Sequence, residues 1–243
     1  MSGSFIPALR FHFLTPLFDP FMRFALPDRE IKRDLVEQAR LSNETRVLDF
    51  GCGTATLTIL IKRRHPGAFV RGLDVDEAIL AKARRKAEAD GADVGFDVYD
   101  GGRIPYQDGS FDRVVTCFVL HHLDDLGKTD ALREIFRVLT PGGELYVADF
   151  DRARNLLRRA AFEAVRLTDS RKSTRANAQG RLRTMIASAG FENVVELSRH
   201  PTAIGEVTYS RGVRGPARVG WMFTFGLAVY NLVRLRRLMA LPI

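Results

Sequence analysis

The stretch VLDFGCGTA, residues 47–55, decides the fold class of this 243-residue chain. An apolar run ends at Asp49, and Gly51 and Gly53 form a Gly-x-Gly turn before a helix-compatible run over 56–64. A strand that turns sharply into a helix presents free backbone N–H groups at the helix N-terminus, and glycines let a ligand approach the backbone closely. The stretch therefore predicts a strand–helix unit that binds a nucleotide-like ligand.

Strand and helix patterns alternate regularly from residue 46 onward. The predicted strands are 46–50, 68–73, 94–98, 111–117 and 143–149, and the predicted helices between them are 55–64, 77–90 and 127–139. The segment TPGG at 140–143 predicts a turn. Two late strands, 191–198 and 203–209, flank His200-Pro201 and predict an antiparallel hairpin, because the link is too short for a parallel crossover. We expect an α/β protein with a doubly wound, seven-stranded, mostly parallel sheet, that hairpin at its C-terminal end and helices on both faces.

The positive charge of the chain lies in its C-terminal part. Residues 1–149 carry 20 Lys and Arg against 23 Asp and Glu, a net of −3, whereas residues 150–243 carry 17 against 6, a net of +11. Such asymmetry indicates an anionic partner, either a phospholipid surface or nucleic acid, or solvated basic helices. We expect no nucleic-acid partner, because no recognition pattern of aromatic and basic residues accompanies the charge.

Two features concern the compartment. The two cysteines, Cys52 and Cys117, offer neither a disulfide framework nor zinc-ligand spacing, which indicates a reducing compartment and no metal. The longest apolar stretch, 219–233, is shorter than the about 20 residues that a membrane-spanning helix needs, and no signal peptide is evident. We therefore expect a cytoplasmic protein, with peripheral membrane association as an option that the basic half leaves open.

Polar residues follow the predicted strands at the edge where sheets of this type bind ligands. Asp49 and Asp149 end the first and fifth strands, and His121 and His122 follow the fourth. The second and third strands are followed by Asp74-Val75-Asp76 and by Asp100-Gly101. An acid about 20 residues beyond the glycine turn can accept hydrogen bonds from ribose hydroxyls, which favours Asp74 for that role. Asp76 is better interpreted as a helix N-cap.

This ordered series resembles the class I S-adenosylmethionine-dependent methyltransferases, and within them the branch of quinone-biosynthesis C-methyltransferases. The resemblance covers residues 30–149 and the hairpin at 191–209. It is carried by the segments VLDFGCGTA, GLDVDEAIL, IPYQDGSFDRVV, LHHL and LREIFRVLTPGGELYVADF. One departure is Ala55, where the family commonly has a third glycine; alanine is small enough that we expect cofactor binding to survive.

The resemblance implies S-adenosylmethionine as cofactor and a role for each matching residue. Methyl transfer from this cofactor needs no metal, and no residue spacing in the chain suggests one. The methionine end of the cofactor would lie against the glycine turn, the ribose at the end of the second strand and the adenine at the end of the third. The implied cofactor-binding residues are Asp49, Gly51, Cys52, Gly53, Asp74, Val75, Asp100, Gly101 and Cys117. Candidate bases are His121, His122 and Asp149, of which the two adjacent histidines point in different directions, so at most one is expected to act. The alternative is that neither histidine has a chemical role.

Outside the cofactor-binding pattern, three segments are predicted. Residues 1–40 form a Phe/Pro-rich lid, with a helix over 29–40 capped by Asp28, and residues 41–210 form the catalytic domain. The domain contains a basic helical insertion at 151–189, with helix-forming runs at 151–168 and 178–189. Residues 211–243 form an appended amphipathic tail that resembles the end of insertion-sequence transposases; the alternative is an ordinary amphipathic terminal helix.

The expected function is transfer of a methyl group, by in-line displacement, to a small apolar or lipid-like acceptor. The sulfonium methyl is already activated, so positioning and desolvation would supply most of the catalysis. Two alternatives stay open at this point: a phospholipid head-group N-methyltransferase, and a regulatory module that binds the cofactor without transferring the methyl group.

Overall fold

The computed structural model describes residues 26–166 and 173–216. Within them the helices, in chain order, are α1 (Asp28–Gln38), α2 (Thr56–Arg64), α3 (Glu77–Asp90), α4 (Asp125–Val138), α5 (Leu156–Arg166), α6 (Arg175–Ala178) and α7 (Leu182–Ser188), with a 3-10 turn at Leu120–His122 before α4. The strands are β1 (Arg46–Phe50), β2 (Phe69–Asp74), β3 (Gly95–Val98), β4 (Phe111–Cys117), β5 (Leu139–Asp151), β6 (Glu192–Thr202) and β7 (Gly205–Val213).

The strands form one sheet in the order β3-β2-β1-β4-β5-β7-β6. The first five strands are mutually parallel, and β7 lies antiparallel between β5 and β6. Strand order reverses between β1 and β4, so the carboxyl ends of these two strands flank the crevice where doubly wound sheets bind ligands. The predicted fold, a seven-stranded, mostly parallel sheet with an antiparallel hairpin, is confirmed.

Helices cover both faces of the sheet because side chains alternate along each central strand. On one face, Val47 and Val115 pack with Ile31 and Leu35 of α1. On the other face, neighbouring strand residues pack with the apolar sides of α4 and α7: Leu48, Val114, Leu132, Ile135, Leu182 and Ile186. Consecutive buried residues in β1 (47–50) and in β4 (114–117) reflect burial on both sides of the sheet.

Several element boundaries differ from the predicted ones. β5 begins at Leu139 and continues through the predicted turn at 140–143, where Gly142 has a φ of +80° and the pairing with β4 changes register. β6 continues through His200-Pro201, and the chain turns instead just before Gly205, whose φ is +147°. Proline is tolerated there because β6 is an edge strand, so no ladder hydrogen bond is lost.

Three smaller predictions were also wrong. Asp28 is not an N-cap: Pro27 occupies that position, and Asp28 is the first helical residue, accepting a hydrogen bond from Lys32 Nζ at 2.9 Å. In the basic insertion, residues 151–155 precede α5 because β5 extends to Asp151. The helix predicted over 178–189 is interrupted at Gly180, whose φ is +72°.

The predicted lid and tail fall mostly outside the described residues, at 1–25 and 217–243. From the lid segment, α1 packs into the main core, and β7 continues past residue 210 to Val213. The transposase-like part of the tail lies outside the described residues. In the portion of the chain that is described, no helix has both the length and the apolar character needed to cross a bilayer.

Candidate active site

The glycine turn after β1 forms as predicted and distinguishes its two glycines. Gly51 has a φ of +72°, and its backbone N–H donates to the carbonyl of Leu73 at 2.8 Å. A Cβ at Gly51 would lie 2.4 Å from Cγ2 of Val119. Gly53, at a φ of +52°, would place a Cβ in open space. Packing therefore requires glycine at position 51, whereas position 53 leaves backbone open to a ligand.

The backbone conformation of Ala55 explains why the family commonly has a glycine at this position. Its backbone is left-handed, with φ 62° and ψ 25°, and it immediately precedes α2. This conformation costs a non-glycine residue roughly 1–2 kcal/mol. The methyl group of Ala55 is fully buried against Ile59 and Ala83, so the turn keeps its geometry despite the substitution.

Asp49 is a buried carboxylate at the end of β1. Its side chain accepts a hydrogen bond from Thr58 Oγ1 at 2.6 Å, and the residue is 1% exposed. Burial raises the pKa of Asp49 to about 6, an effect that the Thr58 hydroxyl and the positive charge of Lys32 partly oppose. A buried anion of this kind favours a cationic ligand group beside it.

A cavity of about 180 Å³ opens beside Asp49 and the glycine turn. Five of the predicted cofactor-binding residues line it: Asp49, Gly51, Cys52, Gly53 and Cys117. The other lining residues are Lys32, Thr54, Thr56, Leu57 and Phe118, which the sequence analysis did not single out. Burial raises the pKa of both cysteine thiols, so at neutral pH they are uncharged parts of the wall.

Asp74 connects the glycine turn to the end of β2. Its Oδ2 accepts from the Gly53 N–H at 2.8 Å, and its Oδ1 accepts from the Asp76 N–H at 3.1 Å. Each oxygen has a further lone pair for ribose hydroxyls. Asp76 caps α3 through the N–H groups of Ala78 and Ile79, as its N-cap interpretation requires.

The end of β3 adds the next two predicted residues. The Tyr99 N–H donates to the Asp74 carbonyl at 3.2 Å, which places Asp100 and Gly101 just beyond Asp74. Asp100 Oδ1 accepts from the Gly102 N–H at 2.9 Å, and a Cβ at Gly101 would meet no atom within 4 Å. The remaining predicted cofactor-binding residues thus lie beyond the glycine turn along the carboxyl ends of β2 and β3, outside the cavity lining: Asp74, the exposed Val75, Asp100 and Gly101.

His121 and Asp149 form a buried pair at the ends of β4 and β5. His121 Nδ1 lies 2.7 Å from Asp149 Oδ1, and the backbone N–H groups of His121 and Phe150 also donate to this carboxylate, at 3.2 and 2.7 Å. Burial alone would raise the pKa of Asp149, but the His121 ring and the Phe150 N–H outweigh it and hold the pKa below its usual value. Asp149 is therefore an anion that orients the His121 ring.

The two predicted histidines lie in different environments. The His121 ring is buried, whereas His122 is exposed, with its ring centroid 4.0 Å from that of His121. Aromatic rings that the sequence analysis did not connect to the site pack beside His121. Phe150 lies 5.3 Å from it by ring centroids, and Phe118 and Phe162 each lie 5.3 Å from Phe150. Phe162 belongs to α5, so the basic insertion contributes an apolar side chain to this cluster.

Known proteins that resemble this chain in sequence are methyltransferases. Residues 47–143 match the methyltransferase domain family. The chain is 42% identical over 123 residues to demethylmenaquinone methyltransferase of Thermus thermophilus, covering 51% of this chain and 55% of that protein. It is 31% identical over 206 residues to the ubiquinone/menaquinone biosynthesis C-methyltransferase of Pseudomonas fluorescens, covering 75% of this chain and 78% of that protein. The chain spans about half the length of the first curated relatives it matches.

Solved structures share the fold. The S-adenosylmethionine-dependent methyltransferase SibL, in its apo form, aligns with a TM-score of 0.66 at 23% identity, over 84% of this chain and 60% of that one. At that identity the likeness concerns the fold alone. The longer sequence match and the arrangement of the glycine turn establish the family: this chain belongs to the class I S-adenosylmethionine-dependent methyltransferases.

Proposed function

We propose that the chain transfers a methyl group from S-adenosylmethionine to a small apolar acceptor of the quinol type. The observation that carries the proposal is the buried His121–Asp149 pair, set among phenylalanine rings at the sheet edge that also carries the glycine turn. Similarity to demethylmenaquinone methyltransferase supports the acceptor class, because an aromatic quinol is apolar and must lose a proton when it is methylated at carbon.

The residues of the strand ends fit the proposed cofactor. When bound, S-adenosylmethionine supplies an electrophilic methyl group on a cationic sulfonium. Asp49 would hold the positively charged methionine end, since a buried carboxylate gains most from a neighbouring cation. Asp74 would hold the ribose hydroxyls and Asp100 the adenine, while Gly51, Cys52, Gly53 and Cys117 would form the wall of the cavity and Val75 and Gly101 its extension along the sheet.

His121 is the proposed base. Because Asp149 is an anion, it accepts the Nδ1 proton of His121, which leaves Nε2 of the neutral ring as a proton acceptor. Asp149 would then stabilise the imidazolium that forms when His121 takes a proton from the acceptor. His122 is exposed on the same 3-10 turn and is not given this role, because His121 is the buried ring whose Nδ1 lies 2.7 Å from Asp149 Oδ1.

The aromatic cluster of Phe118, Phe150 and Phe162 would receive the acceptor ring. Flat aromatic groups pack against phenylalanine with a gain beyond simple burial, and an apolar surface excludes the water that would compete for the proton. The acceptor would thus lie beside His121 and these rings, at the ends of β4 and β5, whereas the proposed adenine position is at the end of β3.

We also propose peripheral contact with an anionic membrane through α5. Leu156, at the start of this helix, is 75% exposed, and Arg158 and Arg159 follow it. Exposed leucine beside arginine suits a phospholipid surface, where lipophilic quinols are dissolved. Co-sedimentation with phosphatidylglycerol vesicles, and loss of it in a Leu156→Asp variant, would support this contact; equal sedimentation with neutral vesicles would contradict it.

The central experiment measures methyl transfer directly. The purified chain is incubated with S-adenosylmethionine and either a reduced naphthoquinone or phosphatidylethanolamine, and products are analysed by mass spectrometry for one added methyl group. The proposal expects methylated quinol and stoichiometric S-adenosylhomocysteine. Methylation of phosphatidylethanolamine alone would replace the proposal with head-group N-methylation, and binding without any transfer would indicate a regulatory module.

A further inference from the structure

The segment between β3 and β4 begins with an exposed stretch, residues 100–103, that we call the arch. Residues 100–103 are exposed and include the proposed adenine-facing Asp100 and Gly101, whereas Ile104, which follows them, is buried. The near end of this arch is fixed by the Tyr99 N–H, which donates to Asp74 at 3.2 Å. The far end is fixed at Ile104 by contacts of another kind.

Side chains of α4 hold both backbone groups of Ile104. Its N–H donates to Glu134 Oε2 at 2.9 Å, and its carbonyl accepts from Arg137 Nη2 at 2.9 Å. Arg137 Nη1 binds the next residues of the segment: it donates to the Tyr106 carbonyl at 2.8 Å and to Asp108 Oδ1 at 2.8 Å. The Ile104 carbonyl also accepts from the Tyr106 N–H at 2.8 Å, so two charged residues of one helix add to the single backbone hydrogen bond of this residue.

Glu134 and Arg137 also hold each other in place. Arg137 Nη2 donates to Glu134 Oε2 at 2.7 Å, and its Nε donates to Oε1 at 3.0 Å, one helical turn away. The hydrogen bond from Arg137 holds the pKa of Glu134 below its usual value. The carbonyl of Arg137 accepts from the Gly109 N–H at 3.0 Å, so the same residue fixes the segment through its backbone as well. Paired, charge-assisted bonds of this geometry are stronger and more directional than neutral ones.

Tyr106 is anchored from the opposite side. Its hydroxyl donates to Asp97 of β3, and Arg71 of β2 donates to the same carboxylate through Nε at 2.9 Å. The segment is thus held between the sheet and α4 from residue 104 onward. The exposed residues 100–103 span the gap between Tyr99 and this anchored part.

We propose that Glu134 and Arg137 are positioning residues that set the arch at 100–103 and thereby the selectivity of the protein for adenine. This inference rests on the proposed function, which places the adenine at Asp100. A carboxylate there accepts a hydrogen bond from the 6-amino group of adenine and repels the 6-oxo group of hypoxanthine. Selectivity then depends on where the arch holds that carboxylate, which Glu134 and Arg137 determine from outside the cofactor site.

The test compares Arg137→Gln with a matched control, Arg199→Gln. Arg137 and Arg199 are both 16% exposed in their side chains, and each pairs with a glutamate three residues away and with a second acid. Arg199 lies on β6, at the opposite edge of the sheet from β3. Isothermal titration with S-adenosylhomocysteine and with S-inosylhomocysteine gives the two affinities and their ratio for each protein, and circular dichroism checks folding.

The wild-type chain and Arg199→Gln should both prefer the adenosyl ligand by the same ratio. In Arg137→Gln, affinity for S-adenosylhomocysteine should fall about tenfold and the preference should shrink toward one, since the inosyl ligand loses little. An unchanged ratio in folded Arg137→Gln, or an equal change in Arg199→Gln, would overturn the inference. If the wild-type chain binds neither ligand, the proposed function itself fails.

A milder variant keeps the test decisive if Arg137→Gln does not fold. Glu134→Gln retains an oxygen for the Ile104 N–H but removes the charge that holds Arg137, so it should lower the adenosyl-to-inosyl ratio by several-fold. Arg137→Lys in the same series should restore part of the selectivity, because it keeps the charge without the bidentate geometry. A folded Glu134→Gln protein with wild-type selectivity would contradict the positioning role.

Discussion

Asp49 and Asp149 are equally buried aspartates, yet their surroundings shift their pKa values in opposite directions. Asp49 is 1% exposed and accepts a hydroxyl bond from Thr58, and burial raises its pKa to about 6. Asp149 is 0% exposed and is bound by the His121 ring and two backbone N–H groups, which together hold its pKa below the usual value.

The difference separates the proposed cofactor-binding region from the proposed catalytic one. At the end of β1, a carboxylate with few donors lines a cavity, so a cationic ligand can satisfy it. At the end of β5, the carboxylate is already satisfied by the protein, so its charge serves to orient His121. A cationic ligand would therefore stabilise the buried charge of the first region, whereas the charge of the second region is already stabilised by the protein.

The largest expected effect lies in the second region. Asp149→Asn should lower turnover by about 100-fold or more, because the neutral amide no longer fixes the Nδ1 proton of His121 or stabilises the imidazolium. Affinity for S-adenosylhomocysteine should stay within about twofold, since the cavity residues are untouched. Steady-state rates with the quinol acceptor and calorimetric titration measure the two quantities.

His121→Ala and the double variant His121→Ala/Asp149→Asn sharpen this prediction. If the two residues act as one unit, the double variant should lose little more turnover than either single one, whereas independent effects would multiply. His122→Ala serves as the control on the same 3-10 turn and should retain most of the activity. Full turnover in folded His121→Ala would show that catalysis is purely positional.

Alanine substitutions at the two glycines of the first region should separate an effect on stability from an effect on ligand binding. Gly51→Ala forces a Cβ to 2.4 Å from Val119 at a φ of +72°, so its free energy of unfolding should fall by about 2 kcal/mol or more. Gly53→Ala meets no atom within 4 Å and should lose only about 1 kcal/mol. Its affinity for S-adenosylhomocysteine should nevertheless fall about tenfold, because the new methyl group occupies the ligand side.

Chemical denaturation and calorimetry on both variants check this pair. A folded Gly53→Ala protein with wild-type affinity would mean that the ligand does not approach position 53. Ala55→Gly is the matched control at a third left-handed position, where relief of strain and gain of chain flexibility should nearly cancel.

The raised pKa of Asp49 predicts a smaller effect, a dependence of the free energy of unfolding on pH. Its folded pKa of about 6 lies above the unfolded value of about 3.9, so the folded state binds the proton more tightly. Its contribution to stability therefore falls as the pH rises from about 4 to about 6 and is constant above that range. Asp149 has the opposite sign: its contribution is present above the unfolded pKa and is lost as the pH falls through the folded pKa.

Asp49→Asn tests this sign. At pH 7 the variant should be more stable than the wild type by about 1–2 kcal/mol in the absence of ligand, with the difference vanishing near pH 4. Affinity for S-adenosylmethionine should rise several-fold between pH 5 and pH 7 in the wild type and stay flat in the variant. Denaturation midpoints and titrations at both pH values decide the matter, and a variant less stable at pH 7 would contradict the desolvation account.

The smallest effect is expected from removing residues 217–243. Among the described residues, the seven strands and the residues lining the cavity precede Arg214, which itself donates to the carbonyl of Arg137 at 2.8 Å. Truncation after Pro216 should leave the affinity for S-adenosylhomocysteine and the unfolding transition unchanged. Loss of cooperative thermal unfolding would show that the tail belongs to the core of the domain.

Local sequence predicted most of the fold and the glycine turn after β1. The turn at Gly51 and Gly53, the cap at Asp76 and the strand β4 depend on neighbours within a few residues, so their patterns are visible in the chain. The boundaries of β5 and β6 were missed because pairing with other strands carried them through TPGG and His200-Pro201, against their local turn preferences.

What the sequence alone determined about this protein is the order of its elements and the residues at the strand ends, because hydrophobic period and turn chemistry act over short distances. Only the tertiary structure decided which of them meet. It joined His121 to Asp149 across 28 residues, placed Lys32 and Phe118 in the cavity wall, and brought Phe162 from the basic insertion beside Phe150. It also gave two buried aspartates opposite pKa shifts, because the shift depends on burial and on partners distant in the chain.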